Sequence, residues 1–215
     1  MTDEPDRSVR YREPRQARSA ATLARVLRAA EELASSIGLE EMTMTGVAEC
    51  AGVSVGTIYR RFEDKEQLIT ALAERMLERR EEFVAEQLDK AEPSLAGVMA
   101  AYAHALLQSF ADSGNLFPEL LRARAGAGVE RGARTITEIH RLLLAAASPY
   151  ARQIRRSDPE RALDTAARAV LGACFHNSVR PDPATGPAAQ HRYADELGDM
   201  ATAYLLTPDR RRTDG

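Results

Sequence analysis

The stretch from residue 43 to residue 62, TMTGVAECAGVSVGTIYRRF, constrains the fold more than any other part of this 215-residue chain. Thr43 is a suitable N-cap for a first short helix whose apolar residues are Val47, Ala48 and Ala51. Gly52 follows them, at a position where a left-handed residue ends a helix at little steric cost. Ser54 offers a second N-cap, and Val55 to Phe62 are expected to form a second short helix. Small residues at Ala48 and Gly52 suit two helices that must approach closely. This is the plan of a helix-turn-helix.

The second helix of such a unit enters the DNA major groove. Here it carries Thr57, Tyr59 and Arg60, all donors to phosphates or base edges. Gly56 stands near its start, and a glycine inside a helix costs about 1 kcal/mol relative to alanine. Close approach of an outside surface would account for it. On these residues alone the alternative stays open: a helical hairpin that only packs, within a helical small-molecule enzyme or a protein-interaction module.

Net charge is −3, yet Arg7, Arg10, Arg12, Arg15, Arg18, Arg25 and Arg28 fall in one short span opposed only by Glu13. Phosphate binding needs a local positive face rather than a positive whole. Residues 1–62 hold nine Arg against nine Asp and Glu, so the positive charge is a patch. Aromatics make up 5% of the chain, Trp is absent and Ala and Leu are plentiful, which favours an all-α fold. Cys50 and Cys174 do not make a disulfide framework and read as buried thiols in a reducing compartment. No apolar run has signal-peptide or membrane-spanning character, so a soluble cytoplasmic protein with no membrane partner is expected.

The motif resembles the signature of the TetR/AcrR family of bacterial transcriptional regulators. The matching residues are Val47-Ala48, Ala51-Gly52-Val53-Ser54, Gly56-Thr57-Ile58-Tyr59, Phe62, Lys65 and Leu68. Gly46 departs from the pattern, which usually has a polar or acidic residue there, and removes a capping-box partner for Thr43. The resemblance implies an N-terminal three-helix DNA-binding domain joined by a long helix to a C-terminal helical bundle for ligand binding and dimerisation. It implies DNA contacts from Arg18, Thr43, Thr45, Ser54, Val55, Gly56, Thr57, Tyr59, Arg60 and Lys65. Thr45 and Thr57 are the candidates for mixed base and phosphate contact. Lys65 sits in the first turn of a helix, where a cation is disfavoured unless a phosphate lies near. The implied partners are a palindromic double-stranded operator, a small-molecule effector and a second copy of the chain. The sign of regulation is not written in the residues; release of a repressor by an apolar or amphipathic molecule is the expectation.

Apolar spacing and breakers divide the rest. Residues 1–16 read as a disordered basic arm, which either follows phosphates or is a solvated tail. A helix over 17–37, ended by Gly38, belongs with 17–63 as the DNA-binding domain. Residues 64–207 form the second domain and 208–215 a disordered tail. Helices are expected from Asp64 or Glu63 to about Lys90, from Ser94 to Ala111, over 119–125, from Val129 to Ala147 with Ile136, Ile139, Leu142 and Leu143 on its apolar face, over 159–179 and over 188–206. The last two are the expected dimer seam, with Ala166, Ala167, Ala169, Gly172 and Ala173 allowing close approach. Effector candidates are Met99, Tyr102, Phe110, Arg124, His140 and Phe175. No catalytic motif appears, no cofactor is implied, and the four histidines are not spaced as a metal site on any single helix.

Overall fold

A computed structural model describes residues 15–112, 116, 120, 127–179 and 186–209. Among these residues the secondary structure is helical, with no strand. The helices are α1 (Arg15–Ile37), α2 (Met44–Ala51), α3 (Val55–Tyr59), α4 (Lys65–Asp89), α5 (Leu95–Asp112), α6 (Ala127–Ala147), α7 (Pro159–Val179) and α8 (Pro187–Leu206), with a 3-10 segment at Ser148–Gln153. The chain divides into two compact units, Met1–Leu68 and Ile69–Gly215, and α4 runs unbroken through the division.

In the first unit α1 packs on α2, and α2 on α3. Val26, Ala30, Val47, Ala48 and Ile58 are almost fully removed from water, joined by Leu39, Met42 and Phe62 from the connections. Side chains cap the starts of α2, α3 and α4. Thr43 Oγ1 accepts from Gly46 N at 3.0 Å, and Ser54 Oγ accepts from Thr57 N at 3.2 Å. Gly52 takes φ +62°, and its N–H bonds back into α2, which closes the turn. Asp64 Oδ1 accepts from Gln67 N at 2.8 Å, and the Gln67 side chain reaches back to Glu63 N at 3.0 Å, so α4 opens on a reciprocal cap. The second short helix is shorter than expected: it stops at Tyr59, and Arg60 and Arg61 form a turn leading to Phe62.

In the second unit α5 lies against α6, α7 and α8, and α7 packs on α8. Met99, Tyr102, Ala103, Leu106, Leu143, Val170, Cys174 and Leu205 form its apolar centre. Asp158 caps α7, accepting from Arg161 N at 3.0 Å, with Pro159 at the first helical position. After Ala147 the chain continues as a 3-10 turn through Pro149 instead of stopping, because a proline lacking its N–H fits the start of a new turn. The last helix begins at Pro187, one residue before the expected start. The helix expected over 119–125 lies outside the described residues except at Leu120, which is buried.

One apolar stripe is corrected. Ile136, expected inward on α6, is 50% exposed, and the buried line runs through Arg131, Thr135, Ile139 and Leu143. Arg131 Nε bonds Glu74 Oε2 at 2.9 Å and its Nη1 bonds Glu81 Oε1 at 2.7 Å; Thr135 Oγ1 donates to Glu81 Oε1 at 2.6 Å. Two carboxylates on α4 therefore turn a polar line of α6 inward and rotate Ile136 out.

Candidate nucleic-acid interface

The described surface of α3 is polar and turned away from its own unit. Ile58 is fully buried and anchors the helix on the α1–α2 core. Around the remaining circumference Ser54, Thr57 and Arg60 recur at three-residue spacing and bond to one another. Ser54 and Thr57 share a hydroxyl contact of 2.8 Å, and Arg60 Nη2 donates to Thr57 Oγ1 at 3.1 Å. Tyr59, 53% exposed, stands beside this row as a large aromatic group with no burial to explain it. At Gly56 an added Cβ would meet no atom of the chain within 4 Å, so nothing inside the molecule requires a glycine there. A helical glycine kept at a cost in stability on an otherwise polar face fits backbone approach to an external partner.

The other residues expected at DNA fall on the same unit with different duties. Arg18, Thr43 and Thr45 are exposed, and Val55 is half-buried. Thr43 and Ser54 already serve as caps, so a phosphate contact would come from their remaining hydroxyl capacity. Lys65 is engaged: its Nζ donates to the carbonyl of Glu40 at 2.6 Å, tying the α1–α2 connection to the start of α4. An ammonium carries three donors, so that bond leaves two for a phosphate. Arg61, absent from the sequence expectation, holds the turn after α3 against α1 through the carbonyl and hydroxyl of Ser19, at 2.8 and 2.7 Å. Its partner lies 42 residues away, beyond the reach of local spacing arguments.

Residues 26–72 match a family model described as bacterial regulatory proteins of the tetR family. That match covers the helix-turn-helix and the start of α4. No curated protein matches the chain. Among solved structures, a TetR-family transcriptional regulator from Streptomyces coelicolor is 26% identical, covers 88% of this chain and 99% of its own, and superposes with a TM-score of 0.57. SmeT, the repressor of the Stenotrophomonas maltophilia multidrug efflux pump SmeDEF, is 21% identical over 88% of this chain and 92% of its own, with a TM-score of 0.61. PfiT, described as a superantigen, is 20% identical over 84% and 95%, with a TM-score of 0.67. The shared fold thus spans proteins described in very different terms, so any reading of function rests on the helix-turn-helix and not on the fold.

The expected effector residues do not all meet. Met99, Tyr102 and Phe110 are buried on α5. Phe175 on α7 is 39% exposed, with its ring edge toward Phe110 at 6.1 Å between centroids. His140 is half-buried on α6, its Nε2 3.7 Å from Asp164 Oδ1, so its partner is a surface carboxylate. Arg124 lies outside the described residues. Sequence spacing missed Arg80, a buried cation whose guanidinium lies 4.2 Å from the centre of the Phe110 ring. Burial lowers its pKa to about 10. Burial also pushes the Tyr102 hydroxyl upward and the Cys174 thiol to about 12.

The expected dimer seam is corrected in part. Ala166 and Ala167 are buried within the chain, and Tyr102 Oη reaches the Ala167 carbonyl at 3.4 Å. Ala169 and Gly172 remain exposed on α7 next to Phe175 and Val179, and Met200 and Leu206 are exposed on α8. Among the described residues no helix is long and apolar enough to cross a membrane.

Proposed function

We propose that this chain is a homodimeric, effector-responsive repressor that binds a palindromic operator through α3 and releases it when a small apolar or amphipathic molecule occupies the second unit. The observation that carries the reading is the outward row Ser54–Thr57–Arg60 with Tyr59 and the open Gly56 beside it, on a helix held by the buried Ile58. Residues 17–63 act as the reader, with contacts from Arg18, Thr43, Thr45, Ser54, Val55, Gly56, Thr57, Tyr59, Arg60 and Lys65. Residues 64–207 serve the effector and the dimer. The role is binding, not turnover.

A single helix-turn-helix reads one half-site, so a second reader on a second protomer makes an inverted repeat the natural target. Exposed apolar groups on α7 and α8, chiefly Phe175, Val179, Met200 and Leu206, support these helices as the seam. Met99, Tyr102 and Phe110 offer an apolar surround, and Arg80 is the cation that would orient the polar end of an amphipathic effector. The effector acts by favouring a conformation with wrongly spaced readers, at a coupling of about 1–3 kcal/mol. α4 belongs to both units and is the path for that coupling.

Selection from a random duplex pool tests this reading: it should return inverted repeats with half-sites one helical turn, or a multiple of it, apart. Pools without symmetry would contradict it. Met200→Glu should give monomers in sedimentation and weaken operator binding about a hundredfold or more through lost bivalency. A variant that stays dimeric would remove α8 from the seam.

A further inference from the structure

We propose that His104, His191 and Asp195 form a binding site for a divalent transition-metal ion, of the class represented by Zn²⁺, on the surface between α5 and α8 in the second unit. The three side chains each offer one donor atom, and these atoms all lie within 4.8 Å of one another. His104 Nε2 is 2.7 Å from Asp195 Oδ1, and the two imidazole rings are 4.3 Å apart between centroids, tilted by 55°.

The helix packing holds these donors at short range. At Gly198 an added Cβ would sit 2.9 Å from the Cα of Ala100, so α8 touches α5 backbone to backbone there. His104 lies one turn onward from Ala100, and Asp195 lies nearly one turn back from Gly198. The two helices thus run in opposite senses past this contact, which brings His104 opposite Asp195. His191 and Asp195 are four residues apart on α8 and share a face. The site therefore has one donor from α5 and an i, i+4 pair from α8. Spacing within single helices gives no sign of it, because His104 and Asp195 are 91 residues apart.

The donor set selects the ion. Two imidazoles and one carboxylate suit Zn²⁺ and its neighbours, whereas Mg²⁺ and Ca²⁺ require mostly oxygen donors. In a tetrahedral zinc site with bonds of about 2.0–2.1 Å, donors stand about 3.3 Å apart. Reaching that spacing takes a slight opening of the His104–Asp195 pair and a small side-chain rotation of His191, whose exposure leaves it room. Water completes the fourth position. His104 loses the hydrogen bond to Asp195 and gains the metal, and α5 becomes clamped to α8.

Tag-free full-length protein, stripped with chelator and dialysed, is titrated with Zn²⁺ against a chromophoric chelator, and separately with Co²⁺ while its visible spectrum is recorded. The site predicts one ion per chain, Co²⁺ bands of tetrahedral intensity, and no competition from millimolar Mg²⁺. His104→Ala, His191→Ala and Asp195→Ala should each weaken binding about tenfold or more, at least the loss seen for outer partners of metal ligands. His140→Ala and His176→Ala should leave it unchanged. His191 is exposed, so its alanine variant tests the site without disturbing a buried group. Absence of binding, or equal affinity in the parent and the three ligand variants, would overturn the site and leave an ordinary surface hydrogen bond.

Discussion

The two units place their polar chemistry on opposite sides of their helices. In the first unit the centre is apolar, built from Val26, Ala30, Val47 and Ile58, while Ser54, Thr57, Tyr59 and Arg60 are turned outward on α3. Among the described residues the buried polar and charged side chains are Arg80, Ser109, Arg131 and Thr135, and all four belong to the second unit. Turning a charge inward costs free energy unless it is paired, and Arg131 meets Glu74 and Glu81 on that account. A surface that meets a polyanion needs donors at the exterior, whereas a chamber that discriminates small molecules needs a few polar groups inside apolar walls. The contrast agrees with the proposed division into a DNA reader and an effector-binding unit.

The largest expected difference concerns the two thiols. Cys50, expected to be buried, is instead exposed on α2, whereas Cys174 is buried as expected and its pKa is pushed up to about 12 by loss of solvent. At pH 8 only about one Cys174 in ten thousand would be thiolate, and that fraction rises tenfold per pH unit as pH increases. A disulfide reagent should modify Cys50 at once and Cys174 only after unfolding. Two thiols reacting at similar rates would break the contrast between an open reader and a closed bundle.

Ile58→Ala comes next. Removing a fully buried isoleucine should cost about 2–5 kcal/mol. Hydrogen exchange should quicken across α1–α3 and operator binding should vanish, while α5–α8 keep their protection. Equal loss of protection in both units would show that they do not behave separately.

Gly56→Ala is smaller and sharper. It should stabilise α3 by up to about 1 kcal/mol, because an added Cβ meets nothing. It should still weaken operator affinity by about tenfold if DNA backbone occupies that space. Improved stability with unchanged affinity would make Gly56 a residue without a role at the interface. The smallest effects are expected from Tyr59→Phe, read as weaker binding across sequences with an unchanged salt slope because the lost hydroxyl carries no charge, and from Lys65→Ala, read as a salt dependence shallower by up to about one released counterion. The lysine variant should also lose about 1 kcal/mol of stability, since its ammonium holds the Glu40 carbonyl. Exchanging Thr45 or Thr57 should alter which operators are preferred, and unchanged preference would remove base contact from both.

Local chemistry was legible in the sequence. Thr43 and Ser54 cap the helices they were expected to cap, and Gly52 closes the turn with the left-handed backbone that position calls for. What remained hidden depends on partners distant along the chain. Arg61 answers Ser19, Arg131 answers Glu74 and Glu81, and His104 answers Asp195. Ile136 looked like a core residue by its chemistry, but the carboxylates of α4 decide which face of α6 turns inward. The alanines of α7 show the same limit: small size permits close packing without saying whether Ala167 meets its own α5 or another chain.

The most direct measurement is fluorescence anisotropy of the full-length protein with the duplex upstream of its own gene, titrated across salt concentrations. The account predicts saturable binding by a dimer, with log affinity falling linearly against log salt at a slope near −0.9 for each phosphate neutralised, and a shallower slope for Lys65→Ala. Retention that ignores salt, or no retention of any duplex in dilute buffer, would contradict it.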